Sequence, residues 1–398
     1  MGGGGYGLSG DLRSYVANPY LIDTYSYTVN PAYAERFRDA VFVNVGVPGA
    51  QVTQPFTNFG GQSFGAIFSI SPRVTVGGML ALESNAGITA LNTDVASALA
   101  SFGLITFGGW TGGIFPPGAV QGIPLRGRNT AYLSTSYNTG GVVLGAGVSY
   151  VSSILSPIVT APIQQPQGQP TANLTQIGFN AGVLVTTSTA SALDIGATLL
   201  LPRVTFPISG STTGTRALSA TVLGLNARYI ARLSKNFWLI PMANFYSISA
   251  DPVVGNSTAF DAGIGMNYQV NNLLFVGGVG VSATSGGNLG PLPISSELVL
   301  PRFNLGVEYL ATNWLRLRAG YNHTTANRTI GATSATPEAR YTIYNNYGLV
   351  NGGVTLGFGL LFGGFTLDLT TDTEAIRRGL GGFGTTSSFG YVSAVFRF

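Results

Sequence analysis

Along residues 315–322 the side chains sort by parity, with Leu315, Leu317, Ala319 and Tyr321 on one side and Arg316, Arg318 and Asn322 on the other. The preceding segment repeats the rule: Phe303, Leu305, Val307 and Tyr309 oppose Arg302, Asn304 and Glu308. A repeat of two belongs to a β-strand with two unlike faces. The same sorting puts Asp194, Arg228, Asp261, Asp368 and Arg397 each on the polar parity of its own segment. Yet only 9% of residues are charged, against roughly 25% in ordinary soluble domains. The polar faces are therefore mostly Gly, Ser, Thr and Asn, where a soluble β-sandwich would carry charge. An arginine or lysine facing lipid at mid-bilayer costs ~2–4 kcal/mol. Keeping these charges on the polar parity is the pattern that this penalty leaves.

Mean hydropathy is high, at +0.31, but no apolar stretch can form a spanning helix. One long charge-free run, between Asp94 and Arg126, contains GGWTGG and FPPG, which break helices. Helices and closed barrels alone satisfy their backbone hydrogen bonds in lipid. The fold expected is thus all-β: a transmembrane antiparallel up-and-down barrel over residues 39–398. About sixteen alternating segments can be counted, fourteen being the alternative. Each is near the ~9–11 residues that a tilted membrane strand needs. Short turns at 71–73, 138–141, 187–189, 233–236, 270–272, 311–313 and 362–364 alternate with longer stretches such as 152–171, 284–298 and 325–347. Such alternation predicts short turns on the periplasmic side, long loops outside, and both termini periplasmic. Tyr150, Phe237, Tyr268 and Tyr309, near strand ends, are the expected interfacial aromatics.

The sequence closes on SSFGYVSAVFRF, with strand alternation running to Phe398. With Val392, Phe396 and Phe398 on one parity, it resembles the C-terminal assembly signal of Gram-negative outer-membrane barrels. The resemblance implies an outer-membrane location, lipid as surroundings, and the barrel-assembly machinery as a partner. Residues 1–38 precede the first strand and carry Asn30, Pro31 and Ala32. This tripeptide ahead of a barrel resembles the long-chain fatty-acid transporter family, in which the N-terminal segment plugs the lumen and hydrophobic solutes pass through; porins are the other relatives in view. A turn leading into the first strand is the alternative reading of the same residues. Glycines on the inner parity, among them Gly145, Gly147, Gly178, Gly182 and Gly359, leave space that a plug could fill. No leader is visible at MGGGGYGLSG, so numbering is expected to begin after its removal.

The connection 84–128 includes TDVASALASFG, where Val95, Leu99 and Phe102 share a helical face behind a Thr93/Asp94 cap. Inward folding would make them a constriction. The apolar stretch 102–119 alternatively serves association with a copy of the chain or another outer-membrane protein. Arg302, Glu308, Arg316 and Arg318 are expected on the inner face of one hairpin. A turn centred on Thr312 would set Glu308 across from Arg316 and diagonal to Arg318. They read either as an anion-favouring filter or as a structural ion pair.

Other chemistries find little support. There is no cysteine, and the net charge of +4 is scattered, with Lys235 the single lysine, so no nucleic-acid patch forms. His323 is the single histidine, and no Ser or acid at a telling spacing makes it catalytic. No ligand cluster calls for a metal, and no cofactor is expected. VGGVGVSA and GFGLLFGG lie within strands and lack the helix and lysine of a nucleotide loop. The expected function is passive uptake of small or hydrophobic solutes past a plug or constriction. A non-transporting structural or secretion-associated barrel is the alternative.

Overall fold

The two-residue alternation resolves into sixteen antiparallel strands, each paired to its neighbours in the chain, with the last returning to the first. The computed structural model describes residues 26–46, 61–82, 125–155, 172–188, 191–207, 215–250, 256–286, 288–289, 292–332, 339–345, 353–372 and 391–398. In chain order the strands are β1 (Ala40–Gly46), β2 (Gly61–Ser69), β3 (Val74–Leu82), β4 (Leu125–Asn138), β5 (Val142–Leu155), β6 (Ala172–Ser188), β7 (Ser191–Pro207) and β8 (Thr215–Ser234). They continue as β9 (Phe237–Ala250), β10 (Ser257–Val270), β11 (Leu273–Gly286), β12 (Leu292–Leu310), β13 (Leu315–Ala332), β14 (Gly353–Phe362), β15 (Phe365–Asp372) and β16 (Tyr391–Arg397). Two extra short strands, Asn288–Leu289 and Ala339–Asn345, pair with β12 and β13 beyond the circuit. Among the described residues no helix is long and apolar enough to cross a membrane.

Closure rests on β1, which pairs along its length with β2 on one side and β16 on the other, Val43 facing Ala394. Asp39 fastens the joint. Its backbone takes φ +55°, a conformation that Asp tolerates better than most residues. In this conformation its carbonyl accepts the Phe398 N–H at 3.0 Å. Its carboxylate meanwhile accepts the Ser69 N–H at 2.9 Å and the Ser69 hydroxyl at 3.1 Å. One residue thus ties β1, β2 and the end of β16 together at the short-turn rim.

The wall is inside-out relative to a soluble protein. Outward positions carry Phe64, Leu80, Leu133, Phe179, Leu225 and Ile264, all exposed, whereas Ser136, Gln176, Asn180, Asn226, Asn244 and Asn267 are buried on the inner side. An exposed apolar band of this extent is the surface of a membrane-spanning barrel. Tyr150, Tyr268 and Tyr309 are exposed on it, while Phe237 is half-buried.

Two expectations need correction. The stretches 284–298 and 325–347 are largely strand, since β11 reaches Gly286, β12 begins at Leu292, β13 reaches Ala332 and Ala339–Asn345 pairs with it. The strands outrun the membrane, up to the twenty residues of β8. Polar residues there satisfy the ladder as well as apolar ones do, so composition alone reads them as loop. The β12–β13 turn is also one residue later than expected. Thr312 turns its hydroxyl back to the Leu315 N–H at 3.0 Å, which holds a four-residue connection and pairs Glu308 with Arg318.

An outward charge should be penalised by depth. Ala227→Arg, midway along the apolar face of β8, is expected to cost ~2–4 kcal/mol, and Thr187→Arg at the turn rim ~0–1. The folded fraction, read from heat-modifiable migration on gels, should fall for the first and hold for the second. Equal folding of both would mean that this face does not meet lipid.

Candidate functional site on the inner wall

Residues 26–38 run along the inner wall and reach the short-turn rim at Glu35 and Arg38. A single helical turn, Ser26–Val29, leads into a 3-10 helix, Pro31–Phe37. The sequence explains the start of the second. Asn30 is its N-cap, its side-chain oxygen accepting the Ala32 N–H at 3.0 Å. Pro31 stands where a missing N–H costs nothing. Ala32 is fully buried and small enough to lie against β5. A Cβ on Gly145 would collide with the backbone of Pro31 and Ala32, and one on Gly182 with the Asn30 amide. Those two inner glycines are the bed of the segment. Gly147, Gly178 and Gly359 are different, since their space is taken by wall side chains: Tyr132, Ser149 with Leu200, and Asp368.

A buried polar network holds the segment to β7 and β8. Asp194 and Arg228 face each other across the two strands, with side chains 0% and 2% exposed. Arg228 donates to Asp194 Oδ2 through Nε at 3.1 Å and Nη2 at 2.7 Å. Tyr33 donates its phenol to Asp194 Oδ2 at 2.6 Å and accepts from Arg228 Nη2. Asn30 Nδ2 donates to the other carboxylate oxygen of Asp194. The Arg228 guanidinium also lies 5.5 Å from the centre of the Tyr33 ring, a cation–π distance. Burial pushes the Tyr33 phenol far above its ordinary range, so it stays protonated and remains a donor.

Backbone groups of the segment are met in the same way. The Tyr132 hydroxyl donates to the Tyr27 carbonyl at 2.9 Å, and Asn180 Nδ2 to that of Thr28 at 3.0 Å. At the rim Glu35 accepts from Asn138 at 2.8 Å, Thr75 at 3.1 Å and Arg38 at 2.8 Å. Apolar packing fills the remainder: Tyr27, Tyr33 and Phe37 join Phe42, Ile67, Met79 and Leu184 in one buried cluster, with Val395 of β16 against it.

A second charged group lies on the other wall. Arg318 donates to Glu308 at 2.8 Å and to Asp368, while Arg316 stands 3.9 Å from Glu308. Two arginines and two carboxylates balance. Arg397 is exposed at the short-turn rim. Asp261 and Arg302 occupy β10 and β12, and His323 of β13 pairs in register with Phe303 of β12; the side chains of Asp261, Arg302 and His323 are outside the described set. Val95, Leu99 and Phe102, with the stretch 102–119, lie outside the described residues. Val392 is half-buried, and Phe396 and Phe398 are exposed, their rings 6.3 Å apart.

Sequence reading missed Tyr33, Glu35, Asp39 and Tyr132. The Asn-Pro start of a helix was the one usable signal, because a capped turn at 30–37 places Tyr33 on the same side as the cap. It also missed that Asp194 and Arg228 meet, because β7 and β8 are joined through residues 208–214 and not by a tight turn that sets register.

No family model and no curated protein matches the sequence. Among solved structures, the chain is similar to a FadL homologue of Pseudomonas aeruginosa, at 11% identity over 98% of both chains and a TM-score of 0.48. It is also similar to the Pseudomonas putida toluene transporter TodX, at 12% identity over 96% of this chain and 94% of that one, TM-score 0.41. A third similar structure is the FrpB iron transporter of Neisseria meningitidis, at 13% identity and TM-score 0.42, where 84% of this chain spans 61% of the other.

Removing one partner of a buried ion pair strands the other, at ~3–5 kcal/mol. Asp194→Ala and Arg228→Ala should each lower the thermal midpoint in detergent clearly. Asp194→Leu combined with Arg228→Met should cost less than the sum of the two single losses. Strictly additive losses would show that the pair does not act as a unit.

Proposed function

We propose that the protein is a transport barrel of a Gram-negative outer membrane, for passive uptake of small or weakly polar solutes, with residues 26–38 as its plug. The observation that carries this reading is the Asn30–Tyr33–Asp194–Arg228 network. A segment tied to one wall by a few buried polar contacts is a device that can be held or released. The inner wall supports it: amides, hydroxyls and glycines dominate, and its charges at Asp194, Arg228, Glu308, Arg318 and Asp368 are engaged with one another. Such a lining favours neither sign of ion strongly. Phe396 of β16 and Phe398 just beyond it, both exposed, are the side chains that the insertion machinery would read.

A second reading has its own observation. The segment buries Tyr27, Ala32, Tyr33 and Ala34 completely, as a permanent filling would, and a barrel so filled serves a structural or secretion-associated role. Conductance separates the two. Planar bilayers should show larger steps for a chain lacking residues 1–38 than for the intact chain, and Asp194→Ala should open intermittently. If the deleted chain does not conduct and solute uptake into liposomes stays at background, transport is wrong and the structural reading replaces it.

A further inference from the structure

The outer wall carries one feature that neither folding nor passage through the lumen uses. The ladder between β7 and β8 is continuous from Ala192–Ile230 to Leu200–Val222 and is next paired at Arg203–Ser219. Pro202, which has no N–H to donate, stands in the interval. At this break the wall holds a groove of about 430 Å³ lined by Leu201, Pro202, Arg203, Ser219, Thr221 and Ser249. Arg203, Ser219, Thr221 and Ser249 are exposed and alternate with the buried Pro202 and Ala220, so they point outward.

The level of the groove identifies its surroundings. Outward residues of β7 are Leu193, Ile195, Ala197, Leu199 and Leu201, and the next is Arg203. That apolar run spans about 27 Å of strand, or roughly 20 Å of height at the usual tilt, close to a full apolar band. β8 changes at the same height, from Leu225 and Leu223 to Thr221 and Ser219. Arg203 therefore stands at the edge of the apolar band on the side of the long connections. No hydrogen bond or ion pair to its guanidinium is found among the described residues. In register with it are two exposed hydroxyl residues, Thr175 on β6 and Ser219 on β8. Directly below them Leu201 faces Ile177, and both are exposed.

We infer that this groove binds an anionic lipid with an unshielded phosphate headgroup, in the leaflet on the long-connection side. The phosphate is held by Arg203 with the hydroxyls of Thr175 and Ser219, and an acyl chain lies on Ile177 and Leu201. An arginine forks onto phosphate oxygens with two parallel N–H donors, and the flanking hydroxyls supply further ones. A guanidinium kept outward at the edge of the band is at the headgroup level, where its charge meets anionic lipid instead of hydrocarbon. The break at Pro202 supplies the recess that a smooth ladder would not. The inference rests on the barrel spanning a membrane and is independent of what the lumen carries.

The test uses the full chain in maltoside micelles, titrated with dimyristoyl phosphatidic acid, dimyristoyl phosphatidylcholine or inorganic phosphate, with retained lipid read by native mass spectrometry. The intact protein should retain phosphatidic acid about fivefold better than Arg203→Gln, the effect of one arginine at a membrane surface. Arg203→Lys should fall between them, and Thr175→Ala with Ser219→Ala should lower retention in the same direction. Heat-modifiable migration checks that each variant is folded. Equal retention by the intact protein and Arg203→Gln would overturn the site, as would equal retention of phosphatidylcholine. Displacement by inorganic phosphate alone would assign a free anion in place of a lipid and overturn it too. Lipid retention lost with conductance unchanged leaves the transport reading standing, so the two can fail separately.

Discussion

The backbone hydrogen bond is the constraint on which everything else depends. In hydrocarbon a strand with an open edge leaves a row of unpaired N–H and C=O groups, each costing several kcal/mol. The sheet must therefore close, and it closes at β1, the strand that pairs with both β2 and β16. Asp39 shows how much rests on that joint. It accepts a positive φ and places its carbonyl and both carboxylate oxygens on the two flanking strands. The strain of an uncommon backbone conformation is offset by fixing three strands in register at once.

Closure with sixteen strands creates a second problem. Small barrels fill their interior with their own side chains, but larger ones enclose space. Here glycine, serine and asparagine leave much of the inner wall low, and residues 26–38 occupy part of what remains. Their burial is tolerable because their polar groups find partners: wall side chains meet the carbonyls of Tyr27 and Thr28, and Asn30 caps the helix that follows. The cost of burying backbone sets the positions of Tyr132 and Asn180, just as the lipid sets the positions of the leucines outside. Each face of the wall answers to what it touches.

The two charged groups inside illustrate different uses of the same chemistry. Asp194 and Arg228 are fully enclosed, and a tyrosine and an asparagine from the segment complete their valences. Such an arrangement favours one docked geometry, because any other would leave buried charge partly unsatisfied. The Glu308–Arg318–Asp368 group joins β12, β13 and β15 and involves no described part of the segment. It braces the wall. These two groups of inner-face charge are thus consumed in holding elements together.

Much of the architecture was legible because lipid imposes a rule on single positions. Whether Leu317 or Arg318 faces outward follows from parity, and parity needs no knowledge of neighbouring strands. Sixteen segments, a chain reversing at each short turn, and the apolar outer face could all be read this way. Where a tight turn joins two strands, register was nearly legible as well, and the Glu308 pairing missed only because Thr312 holds four residues in the turn. Partnerships across long connections were not legible. Asp194 meets Arg228, and both meet Tyr33 more than 150 residues away in sequence. The sequence by itself determined which side of the wall each strand residue takes, since burial in lipid acts residue by residue. Only the tertiary structure decided which inner residues meet, because closing the ring sets strand against strand and that geometry belongs to no single segment.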